Sequence, residues 1–74
     1  MTIKQLPLEG ENVYVECLNV DEIEVTCWII EYGVLGYMDN VNMRFNLSHI
    51  GKKNILQVKS VDPQTGRIEF YCVV

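Results

Sequence analysis

The sequence predicts a small all-β domain in which five strands close into a barrel. Two early segments alternate apolar and polar residues with the period of a strand, and turn-forming residues separate the segments. A strong hairpin turn lies near the carboxyl end. Seventy-four residues supply one hydrophobic core but not two, because each half would bury too little apolar surface to offset its own chain entropy. We therefore treat residues 1–74 as a single domain.

The first two strands are marked by regular alternation. Residues 13–20, VYVECLNV, place Val13, Val15 and Cys17 on one face of a strand. After a polar break at Asp21-Glu22, residues 23–30, IEVTCWII, repeat the pattern. On this second strand we expect the inward residues to be Ile23, Val25, Cys27 and Ile29.

A third strand and a long connection follow. Residues 34–38, VLGYM, form a short apolar run after a turn at residues 31–33, and Gly36 within it indicates a bulge or a close approach of another part of the chain. Residues 39–54 are the long irregular stretch of the sequence. We expect a loop there that contains one helical turn.

The last two strands form a hairpin. Residues 55–61, ILQVKSV, predict the fourth strand, and residues 67–74, RIEFYCVV, the fifth, with Ile68, Phe70 and Cys72 facing the core. The five residues between them have turn chemistry, since Asp62 caps the loop, Pro63 presets φ and Gly66 takes the left-handed position.

This element order narrows the architecture. Three strands, a longer connection and a two-strand hairpin are typical of the five-stranded oligonucleotide/oligosaccharide-binding barrel (OB-fold), whose connection between strands three and four varies most. A small SH3-like barrel is the alternative.

Charge and cysteine spacing exclude several classes of protein. The net charge is −4, from six basic and ten acidic residues, which disfavours a protein that binds nucleic acid through its phosphates. The three cysteines, Cys17, Cys27 and Cys72, lie far apart without a CxxC pair, so we expect no zinc site and read them as buried apolar residues of a reduced protein. No apolar run is long enough for a signal peptide or a membrane span, which predicts a cytoplasmic protein.

The sequence offers little for catalysis. His49 is the single histidine, it lies in the long connection, and no residue type near it would fix its pKa or its orientation. The adjacent Ser48 does not make a catalytic pair, because neighbouring side chains rarely converge on one reacting atom. We expect no enzyme and no cofactor.

Four aromatic rings are candidates for a binding surface. Strand alternation places Tyr14, Trp28, Tyr37 and Tyr71 on the outside of the barrel. Strands two and three carry the usual ligand face of this fold, where exposed rings stack on bases. Alternatively, one or two of the rings cover an end of the barrel or pack under the long connection. An acidic molecule with exposed rings fits a protein partner better than RNA.

The closing segment resembles a known domain. Residues 58–70, VKSVDPQTGRIEF, with Ile50-Gly51 upstream, are similar to the end of the S-one domain, the RNA-binding repeat of the largest small-subunit ribosomal protein. The glycine and aromatic pair that RNA-binding members carry on strand two, and their histidine after strand three, are missing here. The resemblance and the exposed rings together give these candidate nucleic-acid contacts: Trp28, Tyr37, Asp62 and Arg67.

A further local similarity is to the amino-terminal domain of the alpha subunit of eukaryotic initiation factor two. There strand two ends in a hydrophobic pair followed by E-Y and soon after by G-M, which residues 29–32 and 36–38 resemble. The loop that follows in that family holds a phosphoacceptor serine and a run of arginines. Here the loop is shorter and lacks the run, and Ser48 does not replace the acceptor.

The chain also resembles the poxviral decoys, which are short, free-standing copies of that domain. These decoys occupy the antiviral double-stranded-RNA-activated kinase as pseudosubstrates. The turn K-G-Y-I-D of the decoys, which helps to contact the kinase, corresponds to residues 65–69 here. The resemblance implies a non-enzymatic mimic of the initiation-factor domain, which docks on a protein kinase. It also implies a location in the cytoplasm, which is the host cytoplasm if the source is viral. The residues implied as partner contacts are Tyr32, Tyr37, Thr65, Gly66, Arg67, Ile68 and Glu69.

Two other functions stay open at this stage. Bacterial translation initiation factor one is a solitary barrel whose final hairpin is similar to Gly66–Phe70. The number of residues between Met43-Arg44 and this hairpin is also similar. That factor binds ribosomal RNA through basic residues, which the acidic charge of this chain opposes. The remaining alternative is a small structural subunit of a larger RNA-processing or viral assembly.

Overall fold

The computed structural model describes residues 6–40 and 43–72, in which five strands are present together with a turn of 3₁₀ helix at Leu47–His49. The strands are β1 (Asn12–Val20), β2 (Glu24–Ile29), β3 (Val34–Asp39), β4 (Lys53–Val61) and β5 (Ile68–Phe70). They form a closed barrel in the order β1-β2-β3-β5-β4. All neighbouring pairs are antiparallel except β3 and β5, which run parallel over two residue pairs. The predicted five-stranded OB-fold barrel is confirmed.

The core is formed by the inward residues of all five strands, as the alternation predicts. The buried apolar residues are Val13, Val15, Cys17, Val20, Val25, Cys27, Ile29, Met38, Leu56, Val58, Ile68 and Phe70. A bulge between Cys17 and Asn19 interrupts the alternation of β1. It shifts the register by one residue, so that Val20 also faces inwards. No local sequence signal marks that bulge.

The predicted inward position of Ile23 is wrong. Its side chain is 78% exposed, and β2 begins one residue later, at Glu24. The reason is the turn before β2, where the Asp21 carboxylate accepts hydrogen bonds from the backbone N–H groups of Ile23 and Glu24, both at 2.8 Å. This turn keeps Ile23 out of the ladder.

Gly36 is required for close packing across the barrel. A Cβ on Gly36 would lie 2.5 Å from Cε2 and Cζ of Phe70 and 3.3 Å from Cδ1 of Ile29. The β2–β3 register runs through this position without a shift. The sequence indicated either a bulge or a close approach at Gly36. The close approach is right, and the group that approaches is the ring of Phe70.

The connection between β3 and β4 is held by two asparagines. Asn40 is 5% exposed, and its amide group donates to the carbonyl oxygens of Asp21 (2.8 Å) and Phe45 (3.1 Å) and accepts from the Phe45 N–H (2.9 Å). Asn46 caps the 3₁₀ turn by accepting from the N–H of Ser48 at 2.9 Å. The predicted helical turn is confirmed, and β4 begins at Lys53, two residues before the predicted start.

The closing hairpin has the predicted geometry, but the fifth strand is shorter than predicted. Strand β5 ends at Phe70, and Cys72 is exposed rather than buried. The Tyr71 N–H still donates to the Gln57 carbonyl oxygen at 3.0 Å, but no ladder pair follows Phe70, and the exposed Cys72 thiol lies 3.8 Å from the carbonyl oxygen of Asp39 instead of in the core. The predicted end of this strand, residues 73–74, lies outside the described residues. Within the described part of the chain, no helix is long and apolar enough to cross a membrane.

Candidate functional site

The main concave surface of the barrel lies where β2 and β3 meet the closing hairpin. It is an open depression of about 580 Å³. It is lined by Trp28 of β2, by Gly33 just before β3, by three residues of β3, and by three residues of the hairpin: Val34, Leu35, Tyr37, Thr65, Gly66 and Arg67. Trp28 and Leu35 are directly opposite each other on β2 and β3 and both are about 40% exposed. We call this surface the β2–β3 depression.

Arg67 organises one side of the depression. Its guanidinium carbon lies 4.1 Å from the centre of the Tyr37 ring, in cation–π geometry. The guanidinium also donates to the carboxylates of Glu24, at 2.9 Å, and Glu69, at 3.2 Å. The hydrogen bond to Glu24, followed by that to Glu69, raises the pKa of Arg67. The cation is therefore fixed over the ring and is balanced by two acidic side chains.

The turn that presents Arg67 follows from its sequence. The Asp62 carboxylate accepts from the backbone N–H groups of Gln64 (2.8 Å) and Thr65 (3.3 Å), which lowers its pKa. Gly66 has φ +77°, and its N–H donates to the Asp62 carbonyl oxygen at 2.8 Å. The Thr65 hydroxyl accepts from the N–H of Arg67 at 3.2 Å. These bonds fix the direction in which the Arg67 side chain leaves the backbone.

The structure brings most of the predicted site residues together but leaves three of them apart. Tyr37, Thr65, Gly66, Arg67 and Glu69 converge, and Trp28 joins them. Ile68 is fully buried in the core, so its side chain is not available to a partner, and its predicted contact stays a prediction for the backbone alone. Asp62 is exposed, but one carboxylate oxygen is committed to the turn.

Tyr32 lies outside the β2–β3 depression. Its hydroxyl donates to the Glu11 carboxylate at 2.5 Å, and its ring packs against the core. That bond is the largest cause of a raised pKa for Tyr32 and of a lowered pKa for Glu11. In this position Tyr32 fixes the β2–β3 turn to the segment before β1, and its predicted contact with a partner stays a prediction.

The predicted outward rings occupy different surroundings. Tyr14, Trp28 and Tyr71 are exposed, as predicted, whereas Tyr37 is half-buried because Arg67 covers its ring. Tyr14 lies opposite Ile55 on β4, away from β3, so the rings do not form one continuous platform. Of the four rings, Trp28 and Tyr37 line the depression.

Glu24 belongs to this site, although no sequence signal singled it out. Its outward position on β2 follows from alternation, but its partner Arg67 comes 43 residues later in the chain. Pairing of that kind depends on the closure of the barrel. Leu35 was also not singled out, and it joins the site through the local pairing of β2 with β3, in which it lies opposite Trp28.

In the connection between β3 and β4, the side chains of Ser48 and His49 make local structural contacts. The ring nitrogen Nδ1 of His49 accepts from the N–H of Asn46 at 3.1 Å, and the ring lies 4.9 Å from that of Phe45. The hydroxyl of Ser48 donates to the Asn46 side chain at 2.5 Å. Among residues 6–40 and 43–72, no three metal-binding side chains converge.

Comparison with known proteins identifies the type of barrel. No protein-family model and no curated protein match the chain. A chain of the a/eIF2alpha–aDim2p–rRNA complex from Pyrococcus horikoshii has 23% identity, covering 89% of this chain and 44% of that one, with a TM-score of 0.75. The intact alpha subunit of archaeal initiation factor two from Pyrococcus abyssi also has 23% identity, covering 96% and 30%, with a TM-score of 0.76.

A third structure extends the likeness to bacteria. A multidomain protein with nucleic acid binding domains from Streptococcus pneumoniae has 10% identity, covering 95% of this chain and 24% of that one, with a TM-score of 0.74. The chain thus spans less than half the length of each of these three proteins. It has the S-one type of OB-fold. The same fold is found in the alpha subunit of archaeal initiation factor two.

Proposed function

We propose that the chain is a non-enzymatic mimic of the initiation factor two alpha-subunit domain, which binds an antiviral kinase of that subunit as a pseudosubstrate and so protects translation. The observation that carries this proposal is the state of Arg67. The one cation of the β2–β3 depression lies on Tyr37 between two carboxylates, so it is not free to neutralise a phosphate. Tyrosine, tryptophan and arginine are the residues that protein interfaces favour.

The connection between β3 and β4 supports a decoy rather than a substrate. Ser48, the serine of that connection, donates its hydroxyl to its own helix cap. The short 3₁₀ turn that carries it packs against β1 and the core through His49 and Phe45. Ser48 is exposed, but its hydroxyl is bonded to Asn46 and the connection lacks the run of arginines of the substrate loop, so a kinase that docks on the hairpin would be occupied without turnover.

Inhibition assays with purified components test the proposal. The wild-type chain should bind the double-stranded-RNA-activated kinase domain and inhibit its phosphorylation of initiation factor two, without becoming phosphorylated itself. Glu69→Lys should weaken inhibition about ten-fold or more, because it breaks the Arg67 pair and reverses the charge at the rim of the depression. Glu22→Lys is the matched control, since Glu22 is exposed in the turn between β1 and β2.

Two results would contradict the proposal. One is the absence of binding at micromolar concentrations of chain and kinase. The other is an equal loss of inhibition in Glu69→Lys and Glu22→Lys, which would mean that only net charge matters. Pull-down of the tagged chain from a translating lysate separates the kinase from a ribosomal subunit as the captured partner.

A second candidate function is RNA or ribosome binding, which the exposure of Trp28 beside Tyr37 favours. It requires that bases stack on these rings while the backbone phosphates find cations elsewhere on the surface. It predicts a steep fall in affinity with added salt and quenching of Trp28 fluorescence by a bound oligonucleotide. Because Trp28 is the single tryptophan of the chain, the signal reports on this surface alone. A flat titration at low salt would remove this candidate.

A further inference from the structure

Two cysteines that are ten positions apart in the sequence face each other inside the barrel. Cys17 on β1 and Cys27 on β2 are direct partners in the antiparallel register. Both thiols are free and buried, with exposures of 7% and 2%. Each was expected to be an isolated apolar core residue, but their direct opposition makes them a dithiol pair.

The backbone hydrogen bonds define the geometry of this pair. The N–H of Cys17 donates to the Lys52 carbonyl oxygen at 2.9 Å, and its own carbonyl oxygen accepts from Gly51 at 2.8 Å, so both groups point away from β2. On the β2 side, the N–H of Ile30 donates to the carbonyl oxygen of Tyr14, so residues 14 and 30 form a hydrogen-bonded pair. Hydrogen-bonded and non-hydrogen-bonded pairs alternate along an antiparallel ladder, and residues 17 and 27 lie three positions further along. Cys17 and Cys27 therefore form a non-hydrogen-bonded pair.

Side chains are closest in pairs of this type. The Cα atoms of a non-hydrogen-bonded pair are about 4.5 Å apart, which falls within the span of about 4.4–6.8 Å found for disulfides. The Cβ atoms of opposed residues are about 4.5–5.5 Å apart, slightly more than the usual disulfide value of about 3.8 Å. A bridge needs an inward shift of about 1 Å, which strains it and makes it easily reduced.

The thiols also lie next to an opening in the packing. They line a cavity of about 20 Å³ at the end of the barrel, below Phe45, His49 and Lys52. The elements above this cavity are the 3₁₀ turn and the start of β4, rather than a continuous strand. This end of the barrel is therefore where a small oxidant has its shortest route to the sulfur atoms.

We propose that Cys17 and Cys27 are a reversible redox modification site, which closes to a cross-strand disulfide when a peroxide oxidises the protein. The Cys17 sulfur, as thiolate, attacks one peroxide oxygen and the O–O bond breaks, giving a sulfenic acid and hydroxide. The Cys27 sulfur then displaces the sulfenic hydroxyl and forms the S–S bond. In sum, two thiols and one hydrogen peroxide give one disulfide and two waters.

Burial controls the rate of this reaction. It raises the pKa of the Cys17 thiol, and burial together with the neighbouring Cys17 raises the pKa of Cys27 to about 12. Both thiols are therefore protonated at neutral pH, and the bridge forms slowly, through transient opening of the barrel end. The finished bridge ties β1 to β2, the strand that carries Glu24 and Trp28 of the depression.

Peptide mapping of the Cys72→Ser variant tests the proposal, since Cys72 is the remaining, exposed thiol. The folded variant is treated overnight with hydrogen peroxide, alkylated, and cleaved after glutamate, which separates the two cysteines because Glu22 and Glu24 lie between them. We expect a linked pair of peptides, one with Cys17 and one with Cys27, with a mass lower by two hydrogen atoms than the two reduced peptides. Dithiothreitol should restore both thiols.

Two controls make the result decisive. A variant that also carries Cys17→Ser should give no linked pair and should keep Cys27 alkylatable after the same treatment. The Cys72→Ser variant in denaturant should bridge rapidly, which shows that the oxidant is competent. The proposal is overturned if the folded variant keeps two alkylatable thiols while the denatured one bridges, or if the folded variant gives only intermolecular bridges or sulfinic acid.

Discussion

Substituting alanine for Gly36 is the sharpest test of how this small barrel is packed. The new Cβ would lie 2.5 Å from two carbons of the Phe70 ring, whereas carbon atoms in contact are normally about 3.5–4.0 Å apart. The ring must therefore move by about 1 Å. Phe70 and the neighbouring Ile29 are almost completely buried, and the cavity that Phe70 lines has a volume of only about 10 Å³, so the ring has little room to move.

The size of the effect follows from two opposing contributions. Overpacking a core costs about 1–3 kcal/mol, and the burial of the Phe70 ring places this site near the upper end of that range. Replacing glycine restricts the unfolded chain and returns about 0.4–1 kcal/mol. The net loss is about 2 kcal/mol, which for a domain of this size lowers Tm by about 8–16 °C.

Urea unfolding of Gly36→Ala, followed by Trp28 fluorescence and circular dichroism, measures this loss. The matched background is Phe70→Leu, which removes the ring carbons that the new methyl group would meet. In that background Gly36→Ala should cost less than about 0.5 kcal/mol, because the two sites are coupled through one contact. The reasoning is refuted if Gly36→Ala is neutral in the wild-type chain, or if it costs the same with Phe70 and with leucine.

Three further results are expected. Asn40→Ala should lower the free energy of unfolding in urea by about 3 kcal/mol, because it leaves backbone groups of Asp21 and Phe45 unpaired; a loss under about 1 kcal/mol would contradict this. Asp21 and Asp62 have pKa values lowered from 3.8 by backbone hydrogen bonds, so their contribution to stability is present above about pH 4 and is lost as the pH falls through the folded-state pKa values. Thermal unfolding between pH 5 and pH 2 should show this loss, and asparagine at both positions should reduce it, leaving the part that comes from the lowered pKa of Glu11. Kinase binding should protect Trp28 from quenching by acrylamide, and unchanged quenching in a saturated complex would exclude this surface from the contact.

Much of the fold could be predicted because its determinants are local. The alternation of β1 and β2 identifies the inward residues, since side chains of a strand point to opposite faces in turn. The hairpin at residues 62–66 is equally local, because one carboxylate, one proline and one glycine specify it within five residues. These features need no information about distant parts of the chain.

The errors occur where strands end. Alternation continues through Ile23 and Cys72, yet both are exposed. At Ile23 a competing local interaction, the Asp21 turn, takes the backbone N–H that a strand would have used. At Cys72 the limit is not local, since β5 is as long as its pairing with β3 and β4 allows.

The candidate site could be predicted in part. The hairpin residues and Tyr37 come together in the structure, and their contact with a partner stays a prediction. Ile68 lies between the outward residues Arg67 and Glu69, so alternation indicates that its side chain is buried, and the structure agrees. The pairing of Arg67 with Glu24 could not be predicted, because it joins strands that meet only in the closed barrel.

The short parallel contact between β3 and β5 has a consequence for the order of folding. It joins residues 36–37 to residues 68–69, and the β1–β4 pairing joins residues 12–16 to residues 53–57, whereas the other three pairings connect strands that are neighbours in sequence. Contacts between distant residues carry a larger entropic cost and form slowly, so we expect both of these seams to close after the local hairpins. Tyr37 and Arg67 lie on opposite sides of the β3–β5 seam, so the surface that we assign to the partner exists only after closure. A bound partner would then stabilise one of the two long-range seams that close the barrel.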